Sequence, residues 1–294
     1  MRVALLGFGL IGGSIARALA EAPDRAAWTV AAWSPTGDGP RQAEADGIIA
    51  HAADRPESAL HAAELVVLAG PPSTTLDWLD WLARHTDVPD SVVVTDVAST
   101  KGLIVRRAGQ LGLRFVGGHP MAGRETSGYA ASTMDLFRDR PWVVVPVDPD
   151  DRPATLAVET LAVACGARPF RLDADAHDGA VAAISHLPLV LAAAMVEAVA
   201  GGNGPSRADW PLARELSATG WRDMTRLARG DPVMGAGIAA TNATAVAERV
   251  RAVQAVLDAW LAELERPGGP DETAIGERLR AVRRRLGTPA EDPG

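Results

Sequence analysis

A glycine-rich motif near the amino terminus constrains the fold of this 294-residue chain more than any other feature. The apolar run Val3–Leu6 is followed at once by Gly7-Phe8-Gly9-Leu10-Ile11-Gly12, and residues 13–19 then have the apolar spacing of a helix. In such a strand–turn–helix unit the first glycine permits a tight turn, the second lets the backbone approach a pyrophosphate, and the third lets helix and strand pack closely. The motif predicts dinucleotide binding by residues 7–12, with phosphate on the N–H groups that open the helix. The alternative is a glycine-rich turn without a ligand.

Short apolar runs alternate with helical patterns over the first half of the chain, which is typical of a parallel sheet covered by helices on both faces. After about Arg152 the strand signals give way to Ala-, Leu- and Val-rich helical periodicity. The sequence therefore predicts an α/β fold, with an N-terminal Rossmann-type doubly wound sheet (1–150), an all-helical C-terminal domain (151–288) and a flexible tail (289–294). Strands are expected at Val3–Leu6, Trp28–Trp33, Leu65–Ala69, Val92–Thr95, Phe115–Val116 and Trp142–Val147.

Composition argues against several classes of partner. Asp and Glu (37) outnumber Lys and Arg (29), which gives a formal charge of −8, so neither nucleic acid nor a membrane surface is expected as a partner. The single cysteine, Cys165, cannot form an internal disulfide, and no Cys/His cluster has metal-ligand spacing, so we expect a cytoplasmic chain without a metal. No apolar run reaches the ~18 residues of a membrane span. The apolar start resembles a secretory signal, but the glycine motif explains it better.

The residues that follow the second predicted strand bear on which dinucleotide binds. An NAD site usually places an acid there to bond the ribose hydroxyls, whereas this chain has Ser34-Pro35-Thr36. NADP is favoured over NAD, because no carboxylate repels a 2′-phosphate and the hydroxyls of Ser34 and Thr36 can bond one. Asp38 stays open as an alternative acid, Arg41 as a phosphate partner, and turn chemistry as the alternative role of the two hydroxyls.

His119 is the histidine best placed to meet a ligand. It lies in the segment Gly117-Gly118-His119-Pro120-Met121-Ala122-Gly123, directly after the predicted strand Phe115–Val116. Pro120 excludes His119 from the helical region, so we expect the imidazole on an extended loop at the carboxyl end of the strand. In open α/β sheets this edge is where ligands bind.

Several motifs together resemble the prephenate/arogenate dehydrogenase family of tyrosine biosynthesis. They occur in order from the first strand to about Asn242, and the combination is far more specific than any one of them. The matching segments are the glycine motif with Gly13-Ser14, Asp96-Val97-Ala98-Ser99-Thr100-Lys101-Gly102, Gly118–Gly123 with Glu125 and Ser127-Gly128, His177-Asp178, Ile184-Ser185-His186-Leu187-Pro188, and Gly220-Trp221-Arg222-Asp223-Met224-Thr225-Arg226-Leu227-Ala228.

The resemblance implies oxidative decarboxylation of a small molecule, prephenate (to 4-hydroxyphenylpyruvate) or arogenate (to tyrosine), with hydride transfer to NAD(P)⁺, in a homodimer formed through the helical domain. Oxidation of the ring alcohol needs a base for the hydroxyl proton, and a neutral imidazole suits this task, so His119 is the expected base. Ser99 is implied to hydrogen-bond both the imidazole and the substrate hydroxyl. Its alternative role is to cap the helix that follows, and the two roles are compatible.

A dianionic substrate requires a fixed cation, and a guanidinium binds a carboxylate through two hydrogen bonds. Arg226 matches the substrate-binding arginine of the family. Arg222, four residues earlier, is expected on the same helix face, where it either supports that charge or forms a surface ion pair. Glu125 is implied by the family to pair with Arg226 and gate the site. His186 either lines the site or is a structural histidine at a helix start.

One position departs from the family pattern. Leu189 stands where many members have a second histidine that contacts the substrate side chain, so the choice between prephenate and arogenate stays open.

A rival hypothesis is a dehydrogenase of a substituted prephenate analogue in secondary metabolism. A β-hydroxyacid dehydrogenase fits the His-Pro-Met segment poorly, and a non-catalytic NADP-binding sensor needs no base. We expect no fused mutase or regulatory domain within the 294 residues, so any feedback by tyrosine would act at the active site or the dimer interface.

Overall fold

The computed structural model describes residues 1–85, 89–124, 126–202 and 204–287. The chain divides into two compact units, Met1–Val246 and Ala247–Gly294. The strands are β1 (Arg2–Leu6), β2 (Thr29–Trp33), β3 (His51–Ala52), β4 (Leu65–Leu68), β5 (Val93–Asp96), β6 (Phe115–Pro120), β7 (Pro141–Pro146) and β8 (Arg168–Arg171). The helices are α1 (Leu10–Glu21), α2 (Asp38–Ala45), α3 (Pro56–Leu60), α4 (Pro72–Arg84), α5 (Gly102–Gln110), α6 (Arg152–Ala164), α7 (Ala174–Val181), α8 (Leu187–Ala200), α9 (Trp210–Glu215), α10 (Thr219–Thr225), α11 (Pro232–Thr241), α12 (Ala243–Leu264) and α13 (Glu272–Leu286).

The eight strands form one sheet in the order β3-β2-β1-β4-β5-β6-β7-β8. Every neighbouring pair is parallel except β6 and β7, which run antiparallel. The order reverses between β1 and β4, the switch point at which a doubly wound sheet opens a ligand crevice. The predicted Rossmann-type fold is confirmed, and the carboxyl ends of β1, β4, β5 and β6 lie at one edge.

Two apolar cores cover the two faces of the sheet. Because side chains alternate across a strand, Val3 and Leu5 of β1 join one core and Ala4 and Leu6 join the other. The first core includes Ile15 of α1 and residues of α6, and the second includes residues of α4 and α5. All six predicted strands are present, each within a few residues of its expected position.

Two expectations about strands need correction. The sheet continues past residue 150 to β8, an edge strand whose sequence Arg168-Pro169-Phe170-Arg171 lacks the apolar run of a buried strand. Proline and arginine are tolerated there because an edge strand has only one neighbour. In addition, His119 and Pro120 are the last residues of β6, paired with Val143 and Trp142 of β7, and do not belong to a loop. The division at residue 150 stays a prediction, and residues 288–294 lie outside the described residues.

The helical run Ala174–Ala200 is long and apolar enough, by length and composition alone, to cross a membrane, with a mean hydropathy of 2.0 over its most apolar window. This corrects the expectation that no segment reaches that length. The polar residue His186 interrupts the strict apolar run in the sequence without lowering the average enough. A π-helical turn at Ala182–His186 joins α7 to α8 within this run, and π-turns are frequent at functional sites.

The unit Ala247–Gly294 contains most of α12 and all of α13. Its two helices are joined by the Arg278 guanidinium, which lies 4.2 Å from the centre of the Trp260 ring and donates to the carbonyl of Val256 at 3.3 Å. Leu257 and Leu261 of α12 are more than half exposed. These two apolar side chains of α12 are therefore largely uncovered within the described part of this single chain.

Candidate active site

The glycine motif has the geometry that its sequence predicts. Gly7 has φ +104°, and a Cβ atom there would lie 2.5 Å from the carbonyl oxygen of Ala69, so only glycine fits. A Cβ atom on Gly12 would lie 2.4 Å from the Gly7 oxygen, whereas one on Gly9 would meet nothing within 4 Å. Gly7 and Gly12 thus permit close packing, and Gly9 faces open space.

The start of α1 is free to receive an anion. Its N-cap residue is Gly9, and no side chain caps the first turn, so the first N–H groups keep their hydrogen-bonding capacity. A cavity of about 380 Å³ lies beside this turn, lined among others by Phe8, Gly9, Ser34 and Tyr129. The residues present fit a dinucleotide, with phosphate at the helix start.

The segment after β2 forms a turn beside that cavity. The Ser34 hydroxyl accepts the N–H of Gly37 at 3.2 Å, which is the turn chemistry held open by the sequence. Arg41 donates to the Thr36 carbonyl at 3.0 Å and to a carboxylate oxygen of Asp38 at 2.7 Å. Arg41 therefore neutralises the one acid of this turn.

His119 ends strand β6 at the same sheet edge as the glycine motif. Its side chain is buried, and its Nδ1 atom lies 2.8 Å from Nε2 of His177. Burial lowers the pKa of His119 well below its ordinary value, and the nearby His177, Lys101 and His186 lower it further. The ring is therefore neutral near pH 7 and able to accept a proton.

His177 joins His119 to a carboxylate. Its Nδ1 atom lies 2.8 Å from Oδ1 of Asp178, and its side chain is only 1% exposed. Asp178 also accepts the N–H groups of Lys101 at 2.7 Å and Gly102 at 2.8 Å. Burial alone would raise the pKa of Asp178, but the hydrogen bonds from His177 and from the two amides lower it below its ordinary value. Asp178 is thus a carboxylate that accepts from three donors.

A buried ion pair joins the end of β5 to the start of α5. The ammonium of Lys101 bonds a carboxylate oxygen of Asp96, and both side chains are fully buried. Asp96 also accepts the N–H groups of Ala98 and Gly118 at 3.0 Å each. Burial raises the pKa of Asp96 and lowers that of Lys101, so each charge depends on the other. The pair ties the end of β5 to the residue before His119.

Ser99 lies between Asp96, the last residue of β5, and the start of α5, and is half-buried. It does not cap α5: the N-cap residue is Lys101, and the capping oxygens come from Asp178. Within the described residues, no hydrogen bond links Ser99 to His119. Its backbone faces the ring of His186, so the loop that carries Ser99 packs on the helical part of the same unit.

His186 is buried in the π-helical turn, with 1% of its surface exposed. Its Nδ1 atom lies 3.2 Å from the Asn242 amide nitrogen, and that nitrogen also donates to the Asp178 carbonyl at 2.9 Å. Its Nε2 atom is buried and has no hydrogen-bond partner among the described residues. Burial is the main cause that lowers the pKa of His186, to about 4.

The expected substrate cations lie on the helical part of the unit. Arg222 belongs to α10, which ends at Thr225, and Arg226 begins a short 3₁₀ segment. Arg226 directly follows the last residue of α10 and has right-handed helical backbone angles, φ −55° and ψ −45°. The shared face of the two arginines stays a prediction. Both arginines are exposed. Glu125, the expected partner of Arg226, lies outside the described residues.

The sequence assigns no role to three buried polar residues, Asp96, His177 and Asp178. For Lys101 it leaves open a solvated helix residue or a contact to cofactor or substrate, and the full burial of Lys101 contradicts the first of these. The dipeptide His177-Asp178 and the segment Asp96–Gly102 are visible as motifs, but their partners are distant in the chain. His119 and His177 are 58 residues apart, and Lys101 and Asp178 are 77 apart. Only the fold shows that these motifs form one network.

Comparison with known proteins adds an independent finding. Residues 30–170 match the family model described as prephenate dehydrogenase, nucleotide-binding domain, and residues 173–271 match prephenate dehydrogenase, dimerization domain. The chain is 32% identical over 267 residues to the prephenate dehydrogenase of Bacillus subtilis, which covers 90% of this chain and 68% of that protein.

The fold is shared with solved structures of other proteins. The crystal structure of Synechocystis arogenate dehydrogenase has a TM-score of 0.76 and 28% identity, and the match covers 97% of this chain and all of that one. The structure of prephenate dehydrogenase from A. aeolicus in complex with hydroxyphenyl propionate and NAD⁺ has a TM-score of 0.84, with 97% of each chain covered. At 24% identity, the second likeness concerns the fold alone.

Proposed function

The chain belongs to the prephenate dehydrogenase family and is an NAD(P)-dependent oxidoreductase, and from this premise we propose that His119 is the base of its reaction. The reaction is the oxidative decarboxylation of prephenate or arogenate, which yields an aromatic ring and carbon dioxide. The observation that carries the proposal is the buried imidazole at the carboxyl end of β6, with a lowered pKa, at the same edge as the glycine motif.

His119 acts by accepting the proton of the ring hydroxyl. Its Nδ1 atom is engaged by His177, which leaves Nε2 as the atom that faces substrate. A bound nicotinamide supplies the acceptor for the hydride that leaves the carbon bearing that hydroxyl. Because the pKa of His119 is lowered, the ring is unprotonated and ready to accept a proton across the neutral pH range. Ser99 supports this step by hydrogen-bonding the hydroxyl from the loop after β5.

The substrate carboxylates are bound by the helical part of the unit. Arg226 is the proposed main cation, since a guanidinium can hold a carboxylate through two parallel hydrogen bonds. Arg222 is the proposed supporting cation, and Glu125 the proposed partner of Arg226. His186 lines the site through the loop of Ser99, against whose backbone it packs.

NADP is the proposed cofactor in preference to NAD. Two features support it: the hydroxyl-bearing turn Ser34–Thr36 beside the cavity, and the pairing of Asp38 with Arg41, which cancels the charge that would repel a 2′-phosphate. Leu189 leaves the choice between the keto acid and the amino acid substrate to be decided by assay, because no histidine at that position contacts the side chain that distinguishes them.

The enzyme is proposed to act as a cytoplasmic homodimer. Residues 173–271 match a dimerization domain. The helical run Ala174–Ala200 exposes apolar side chains such as Ile184, and α12 separately exposes Leu257 and Leu261. A second copy of the chain is the partner that would bury such faces. Light scattering of the purified protein is expected to give twice the mass of 30.6 kDa.

The decisive experiment is a four-way assay of purified protein with prephenate or arogenate and with NAD or NADP. Reduced-cofactor absorbance and the aromatic product are followed together. We expect turnover with at least one pair and a preference for NADP. Cofactor binding without turnover of either substrate would refute the proposed reaction and favour a substituted prephenate analogue. A preference for NAD would refute only the cofactor assignment.

A further inference from the structure

The three residues Asp178, His177 and His119 form a linear chain of hydrogen bonds. The distance from Asp178 Oδ1 to His177 Nδ1 is 2.8 Å, and that from His177 Nε2 to His119 Nδ1 is also 2.8 Å. The carboxylate belongs to α7, which follows β8, while His119 ends β6. A charged group on one element is thus connected, through one buried ring, to the proposed base on another.

The direction of these hydrogen bonds follows from the chemistry of the terminal group. An ionised carboxylate can only accept, so Nδ1 of His177 must carry the proton of the first bond. In a neutral imidazole the other nitrogen is then an acceptor, so Nδ1 of His119 donates to Nε2 of His177. A neutral His119 with its proton on Nδ1 has a free electron pair on Nε2.

We propose that His177 and Asp178 are positioning residues that fix His119 in the Nδ1–H tautomer and so make Nε2 the proton acceptor. This inference rests on the proposed role of His119 as the base. A carboxylate that orients a catalytic imidazole is a familiar device; here a second imidazole is inserted between the carboxylate and the base. Neither His177 nor Asp178 touches the substrate in this scheme.

Further contacts hold the hydrogen-bonded chain Asp178–His177–His119, called the relay below, in this arrangement. Asp178 receives two backbone N–H groups at the start of α5, and its own carbonyl accepts from Asn242. The ionisable groups that face His119 are His177 from α7, Lys101 from the start of α5 and His186 from the π-helical turn. Asp178 is therefore well ordered, and its carboxylate is kept ionised by its donors.

The alternative state has a protonated His177. Its Nε2–H would then donate to Nδ1 of His119, and the remaining proton of His119 would lie on Nε2. That tautomer presents a donor where the reaction needs an acceptor. The alternative state holds one proton more than the proposed state, and the two states differ in which ring nitrogens are protonated, so they are distinguished by spectroscopy on the free protein.

The direct test is nitrogen NMR of the protein labelled with ¹⁵N-histidine, without cofactor or substrate, near pH 7.5. The chain has six histidines, and the signals of His119 and His177 are assigned from His119→Gln and His177→Gln spectra. We expect both rings to show a protonated-type Nδ1 and an unprotonated-type Nε2. A protonated Nε2 on neutral His119 would overturn the proposal. Because no turnover is involved, this readout is independent of the proposed reaction.

The kinetic test uses two substitutions of His177. The carboxamide of Gln reaches the place of Nε2 and can still accept from His119, whereas that of Asn reaches only the place of Nδ1. We expect His177→Asn to lower kcat by about 10²-fold or more with KM nearly unchanged, and His177→Gln to stay within about tenfold of wild type. Asp178 is a poorer target because it also caps α5.

A pH profile separates positioning from general damage. In the proposed arrangement the neutral Nε2 of His177 accepts from Nδ1 of His119, and this hydrogen bond favours the protonated form of His119. The acid limb of kcat/KM is therefore expected to move to lower pH in His177→Asn and to stay near its wild-type position in His177→Gln. His51→Gln, at an exposed histidine on β3, is the matched control and should leave kcat and the profile as in wild type. Equal activity of the Asn and Gln variants, with an unmoved acid limb, would contradict the relay. The expected tautomer without turnover of either substrate would instead refute the proposed reaction and leave the relay standing.

Discussion

The buried ring of His186 should make the stability of this protein depend on pH. The pKa of His186 is lowered to about 4, mainly by burial and to a smaller extent by His177, while Asp178 and the Ser99 backbone oppose the shift. In the unfolded chain the pKa is near ~6.5. Between these values the unfolded state binds a proton that the folded state does not, so the free energy of unfolding falls as the pH falls below about 6.5.

The size of this effect follows from the shift. A change of about 2.5 pKa units at ~1.36 kcal/mol per unit corresponds to about 3 kcal/mol in total. Between pH 8 and pH 5 about 1.5 units of the shift are expressed, so about 2 kcal/mol of this stability is lost over that range. His119, whose pKa is also lowered, acts in the same direction but is present in wild type and variant alike.

The contribution of His186 to the free energy of unfolding is measured by urea unfolding of wild type and His186→Gln. Both proteins are studied at one protein concentration and at several pH values between 8 and 5. We expect wild type to lose about 2 kcal/mol more than the variant over that range. His51→Gln, which removes an exposed histidine, should retain the wild-type slope. Identical slopes for wild type and His186→Gln would refute the argument that His186 is buried in its neutral form.

Three further predictions concern the cofactor loop, the substrate cation and the buried ion pair. Gly9→Ala should keep the melting temperature but weaken cofactor binding at least about tenfold in a fluorescence titration, because its Cβ meets open space that the phosphate would fill. Gly12→Ala should lower both the melting temperature and the affinity for the cofactor. Equal behaviour of the two variants would contradict the different roles of these glycines. Arg226→Ala should raise KM by an amount equivalent to about 2–5 kcal/mol with cofactor affinity unchanged, and an unaltered KM would exclude it from substrate binding. Lys101→Met should lower the free energy of unfolding by about 3–5 kcal/mol, measured in urea, because it leaves the carboxylate of Asp96 buried and unpaired. A change below about 1 kcal/mol would show that the pair is solvated.

The α/β part of the fold was predictable because local patterns encode it. The alternation of β1 assigns Val3 and Leu5 to one core and Ala4 and Leu6 to the other, as the period of two requires. The glycines at 7 and 12 are needed for reasons of backbone contact that any chain with this motif shares. These features depend on neighbours in sequence, so they can be predicted without the tertiary structure.

Other features depend on packing between distant segments. Strand β8 has no apolar run because an edge strand need not be buried on both faces. The cap of α5 comes from Asp178, which lies 76 residues beyond Gly102, so Ser99 was a reasonable but wrong candidate for that role. The π-turn before α8 likewise has no clear local signal, although it sets the depth of His186.

The chemistry of the site was predictable in part. His119 was identified from its place after a strand and before a proline, and the structure describes it as a buried ring of lowered pKa. What the sequence does not contain is its hydrogen-bond partner, because the ring of His177 approaches from a helix that begins after β8. The network of Asp96, Lys101 and Asp178 around it is likewise a product of the fold.

The role of His119 as the base is tested most directly by one comparison of variants. Two quantities are measured for wild type and His119→Gln. One is kcat/KM with the active substrate, and the other is the dissociation constant of the cofactor. We expect kcat/KM to fall by about 10²–10⁴-fold while the dissociation constant of the cofactor stays the same. Unchanged kcat/KM in the variant would contradict the assignment and remove His119 from the reaction.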